Sequence, residues 1–90
     1  EVLARKTKPV LLVDTDPQAT ITKFYEPPSH TLYELLQRQS SLEETLVEVR
    51  PGLFLLGGER ELGTLNHQWL MLPQLLSHLG TRFSHIIVDT

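Results

Sequence analysis

The sequence predicts an α/β fold, a parallel sheet flanked by helices. Three observations lead there: short apolar runs that do not alternate with polar residues, leucines at helical spacing between those runs, and glycine, proline or a carboxylate where each run ends. Unbroken apolar runs suit strands covered on both faces, and the segments between them are long enough for right-handed parallel crossovers.

Taken in order, Glu1 to Lys6 has the composition of a helix end, with Arg5, Lys6 and Lys8 placed to complement its C-terminal dipole before Pro9 breaks it. Val10-Leu11-Leu12-Val13 is the first strand and runs into Asp14-Thr15-Asp16-Pro17. Leu32, Leu35 and Leu36 predict a short helix capped by Ser29 or Thr31, which Pro27-Pro28 prevents from starting earlier. Ser41 with Glu44 three residues on predicts a capping box; Leu42, Leu46 and Val49 then lie on one side of a second helix that Pro51-Gly52 stops. Leu53 to Leu56 is the second strand, ended by Gly57-Gly58, and a loop or short helix follows to about His67. Leu72, Leu75, Leu76 and Leu79 form a helical stripe ended by Gly80, with Pro73 in its first turn, and Ile86-Ile87-Val88 is the third strand, ending in Asp89.

Ninety residues with 40% hydrophobic and 21% charged content allow one small domain at most. A net charge of −3 without a Lys/Arg run leaves no electrostatic footprint for nucleic acid or an anionic membrane. No cysteine is present, which excludes disulfides and thiolate chemistry. Neither a span-length apolar run nor a signal-peptide pattern is found, so the expected location is the cytoplasm. The first residue is not Met and the last apolar run has no closing segment, so both ends are expected to be truncated.

In an open parallel sheet, ligands bind beyond the carboxyl ends of the strands. Asp14 and Asp16 follow the first strand and Asp89 ends the third, which gathers acid groups where a phosphate-metal complex would sit. Each of these is equally readable as strand-end turn chemistry, and Asp-x-Asp alone also suits the metal site of a nucleotide-sugar transferase. His30, His67, His78 and His85 lack zinc-site spacing and read as surface or helix-end residues. Gly57-Gly58 lacks the Gly-Lys-Ser/Thr of a phosphate loop and reads as a strand-ending turn. Trp69 reads as a partly buried anchor, and Arg60 between Glu59 and Glu61 as a solvated charge cluster.

The longer string Val10-Leu11-Leu12-Val13-Asp14-Thr15-Asp16-Pro17-Gln18, continued by Ala19-Thr20, resembles the switch I strand of the ParA/MinD/Soj partition and positioning ATPases. Thr31 to Leu36, Ser41 to Leu46 and Gly52 to Gly57 resemble successive landmarks of the ParA group, and Phe83 to Thr90 resembles its Walker B strand and the start of switch II. Two departures stand out. The family's Gly- and Lys-rich Walker A loop is not in the chain, and Phe83-Ser84-His85 replaces the family's usual Tyr-Asp pair.

The resemblance implies a three-layer P-loop NTPase-like parallel sheet, incomplete, with residues 1–90 forming part of a nucleotide-binding domain truncated at both ends. It implies that Asp16 is catalytic and positions the attacking water, that Asp89 holds magnesium, and that Asp14 supports the metal shell or merely caps the strand. Gln18 and Thr90 fall in the switches that report the nucleotide state. The implied cofactors are ATP and Mg2+. The implied partners are a second copy in the ATP state, non-specific DNA and a ParB-like protein, in the service of plasmid or chromosome partition or cargo positioning; no sequence feature points to a membrane. Alternatives are a MinD-like membrane-positioning ATPase and a catalytically silent α/β interaction module. The chain alone is expected to be inactive.

Overall fold

A computed structural model describes residues 8–90; the helix end expected over Glu1–Lys6 lies outside the described residues. Four strands form one sheet: β1 (Val10–Asp14), β2 (Leu46–Arg50), β3 (Leu53–Leu56) and β4 (His85–Asp89), in the order β2-β3-β1-β4. β1 lies between β3 and β4 and is parallel to both, with Val13 opposite Leu56 on one side and Val88 on the other. The three strands expected from the apolar runs are thus adjacent, and the α/β class holds.

β2 is a correction. Leu42, Leu46 and Val49 do not share a helix, because α2 (Leu42–Thr45; α1 is Leu32–Leu36) closes after a single turn and the chain passes directly into a strand antiparallel to β3. Ser41 and Glu44 form the expected capping box, and the buried Thr45 hydroxyl donates to the Ser41 carbonyl at 2.7 Å. Beyond that turn, Val47 and Val49 favour extended backbone. Pro51-Gly52, with Gly52 at φ +79°, fits the two central positions of a type II turn and joins β2 to β3 as a hairpin. Register passes from Glu48–Phe54 to Arg50–Leu53, so Val49 is the extra residue of a bulge. The same Pro-Gly pair that ends a helix also turns a hairpin, and pairing with β3 decides between them.

One sheet face carries the core. Leu11 and Val13 from β1 and Leu56 from β3 pack with Leu32 and Leu36 of α1, with Leu62 and Leu65, and with Leu79 of α3 (Leu72–Leu79). Phe83 meets Phe54 edge-on, with ring centroids 5.6 Å apart. Thr31 is the cap of α1, in a capping box with Glu34. Trp69, in a 3-10 turn at His67–Met71, packs partly buried against this core as expected. β4 departs from the expectation of burial on both faces: Ile87 is 51% and Val88 40% exposed. Among the described residues no helix is long and apolar enough to cross a membrane.

The capping box makes a pH prediction. The Ser41 backbone N–H, donating to Glu44 Oε1 at 2.9 Å, and then the Ser41 hydroxyl hold the Glu44 carboxyl below the ordinary Glu range. A lowered folded-state pKa contributes stability above the ordinary Glu pKa and loses it as pH falls through the lowered value. In an NMR titration Glu44 should titrate below an ordinary Glu, and Ser41→Ala should move it part of the way back. An ordinary midpoint in the parent chain would contradict the cap.

Candidate functional site

Because β1, β3 and β4 run parallel, their carboxyl ends share one edge, where Asp14 lies opposite Asp89 in register. Thr15 stitches the two strand ends together: its backbone N–H and its hydroxyl donate to the Asp89 carbonyl at 2.9 and 2.7 Å. Sequence reasoning passed over Thr15, since any residue at that position supplies the first of these donors.

Asp14 is fully buried. Its Oδ1 accepts from the Asp16 backbone N–H at 3.2 Å, and its Oδ2 accepts from both the backbone N–H (3.0 Å) and the hydroxyl of Thr22. The Thr22 hydroxyl in turn accepts from the Gly58 N–H at 2.8 Å. A carboxylate this deep must have its oxygens satisfied, and three donors from one loop do so without a cation. Asp14 and Thr22 together therefore join three pieces of chain: the end of β1, the loop that follows it, and the turn after β3.

Gly57 and Gly58 make that junction possible. A Cβ on Gly58 would lie 2.8 Å from the Asp14 carbonyl oxygen, and one on Gly57 would lie 2.8 Å from Pro28 Cγ and 3.3 Å from Thr22 Cγ2. The pair is a close-packed seat for the loop as well as the end of a strand. The Gly57 carbonyl also accepts from the Leu32 N–H at 2.7 Å, fixing the start of α1.

The loop between Asp14 and Thr22 carries the other candidates. Asp16 Oδ1 accepts from the Gln18 N–H at 3.0 Å, an Asx turn, and the Asp16 carbonyl accepts from the Ala19 N–H at 2.8 Å. Ala19 sits at φ +53°, a left-handed conformation that an L-residue adopts at a cost. The loop divides two clefts that share Pro17. One, about 390 Å3, is lined by Thr15, Asp16, Trp69, Leu72, Val88 and Thr90. The other, about 730 Å3, lies on the side of Gln18, Ala19, Thr22 and Gly58 and is bounded by Lys23, Tyr25, Glu59 and Arg60. Asp16 and Thr90 thus line one cleft, and Gln18 lines the other.

Among the described residues no three His, Cys, Asp or Glu side chains are grouped to hold a metal ion. Asp14, Asp16 and Asp89 share an edge without forming a protein-only metal cage. His30 pairs with Glu34 Oε1 at 2.9 Å across one helical turn, a local contact at the α1 cap. Glu59, read as part of a solvated cluster, instead accepts from the Thr31 hydroxyl at 3.0 Å, while Arg60 is exposed.

Neither a protein-family model nor a curated protein matches the sequence. Solved structures do match. A plasmid partition protein from Borrelia burgdorferi superposes with a TM-score of 0.77 at 25% identity, over 99% of this chain and 45% of that one. Cobyrinic acid a,c-diamide synthase from Mycobacterium smegmatis, solved with ADP and magnesium, gives 0.74 at 24% identity over 97% and 40%. The ATP complex of a Cyanothece McdA variant gives 0.70 at 24% identity over 99% and 38%. The chain spans less than half the length of each. Its fold is the P-loop NTPase-like fold of the ParA-type partition protein and McdA, and the likeness to ParA-type ATPases read in the sequence is present in the structure as well.

The glycine seat is testable by thermal melting. Gly58→Ala should lower stability by about 1–3 kcal/mol, because the added methyl meets backbone rather than a movable side chain. Ala19→Gly should leave stability unchanged or raise it, the relieved left-handed strain offsetting glycine's entropy. Parental melting of Gly58→Ala would contradict the close approach.

Proposed function

We propose that residues 1–90 are part of the nucleotide-binding domain of a ParA-type ATPase, with the phosphate-binding loop and the remaining portions supplied by other segments of the same protein. One observation carries the reading: the ends of β1 and β4 lie side by side with Asp14 opposite Asp89, and Asp16 follows on a loop at that edge, in the fold of plasmid partition proteins. The edge of a parallel sheet is where such folds take nucleotides.

In this reading Asp89 supplies an oxygen ligand, direct or through water, to magnesium, and Asp16 orients the attacking water. Hard carboxylate oxygens suit that ion. Magnesium-ATP, when bound, would supply the phosphoryl group that is hydrolysed. Asp14 acts from beneath by holding the loop. Gln18 and Thr90, at the loop and at the end of β4, are the proposed switch residues. ATP-dependent pairing of two copies, with DNA and a ParB-like protein as partners in partition, completes the proposal for the whole protein. The plasmid partition protein among the neighbours supports the partition role; the pairing, the DNA and the ParB-like protein rest on the resemblance of the sequence.

Two substitutions in the full-length protein separate the proposed roles. Asp16→Ala should slow ATP hydrolysis by about 10²-fold or more while ATP-induced dimerisation persists, because orientation of water is lost and the phosphate cradle is not. Asp89→Ala should weaken nucleotide binding as well as turnover. Turnover, nucleotide affinity and dimer mass measured on both variants test this. Hydrolysis by Asp16→Ala at the parental rate would return Asp16 to a turn-forming role.

A further inference from the structure

We infer that Thr22 is a positioning residue for the proposed hydrolysis, its hydroxyl fixing the loop that carries Asp16; the inference rests on the ATPase reading above. Asp16 donates its own backbone N–H to Asp14 Oδ1 at 3.2 Å, which fixes the first end of its loop at β1. The bonds made through Gln18 and Ala19 shape the loop beyond that point. Placement comes from its two ends, Asp14 on β1 and Thr22, which meet through the Asp14 carboxylate.

The Thr22 hydroxyl is used in both directions. Its one proton goes to Asp14 Oδ2, and its oxygen accepts from the Gly58 N–H at 2.8 Å. Thr22 is buried, so water does not readily replace either bond. Its methyl group fills the space against Gly57, where a Cβ would come within 3.3 Å of it. The side chain is therefore specified twice, by a hydroxyl with two partners and by a methyl against a glycine.

The ring closed by this latch contains the left-handed Ala19. A strained residue persists where its surroundings over-determine it. Opening the latch lets Ala19 relax toward an ordinary conformation, and Asp16, three residues away, moves with it. A shift of about 1 Å in a water-orienting group is enough to slow a reaction about 10²-fold. Nucleotide binding, which uses other groups, is left largely intact.

The test compares Thr22→Val, Thr22→Ser and Asp16→Ala in the full-length protein. Thr22→Val keeps the shape and removes both bonds of the hydroxyl, leaving only the backbone N–H on Asp14 Oδ2; it should lower kcat for ATP by about 10²-fold with KM within about threefold. Thr22→Ser keeps the hydroxyl and should restore kcat to within about threefold of the parent. In the Asp16→Ala background, Thr22→Val should cost little further kcat, because the residue acts through Asp16. If Thr22→Val does not fold, Thr22→Cys set against Thr22→Ser carries the same comparison, since those two side chains share a shape and the thiol is the weaker donor and acceptor. A folded Thr22→Val or Thr22→Cys with parental kcat overturns the inference and leaves the ATPase reading standing. A full multiplicative loss of kcat in the double variant also overturns it. A parent that does not hydrolyse ATP overturns both.

Discussion

The arrangement of the candidate site depends on one buried carboxylate. Asp14 is fully buried and its oxygens take three donors, all from the loop that follows it. Leaving such a group unsatisfied costs about 1–3 kcal/mol per lost partner, a large share of the about 5–15 kcal/mol by which folded proteins are stable. The loop therefore has to fold back over the end of β1, and the backbone beneath it has to come close. Gly57 and Gly58 permit that approach, Thr22 completes it, and Ala19 accepts a left-handed conformation within it.

The second constraint is the register of the parallel strands. With Asp14 opposite Asp89, two strand ends meet, and Thr15 ties them together through the Asp89 carbonyl. Asp16 then stands just beyond a rigid edge, on a loop whose ends are fixed and whose middle is strained. That combination suits a group that must be aimed at a ligand and also respond to it. The opposite end of the sheet is of a different kind. There β2 folds back on β3 as a hairpin, and its outward positions are Glu48 and Arg50. A charged edge strand of this sort discourages further pairing.

Much of this was legible in the sequence because it follows from local rules. The runs at Val10, Leu53 and Ile86 became the three parallel strands, the capping box expected at Ser41 formed, and of the two caps offered for the first helix Thr31 is the one used. Residues 46–50 were misread because Leu42, Leu46 and Val49 fit helical spacing, while the alternative depends on pairing with β3, a non-local fact. The exposure of Ile87 and Val88 was equally hidden, since an apolar strand reads the same whatever covers it. Thr22 carried no signal. Eight residues from Asp14 and in no motif, it gains its role only when the loop closes. Gly57-Gly58 read as a turn for the same reason: the neighbour that requires glycine lies far away in sequence.

The central claim is that the edge formed by Asp16 and Asp89 faces the phosphates of a magnesium nucleotide. A crystal structure of the full-length protein with magnesium and a non-hydrolysable ATP analogue tests it most directly. The account predicts the metal's ligand shell reaching Asp89, directly or through one water, with Asp16 directed at the terminal phosphate and Asp14 still beneath the loop in contact with Thr22. Nucleotide bound instead in the larger groove beside Lys23, Tyr25 and Arg60, with Asp16 and Asp89 remote from its phosphates, would contradict it.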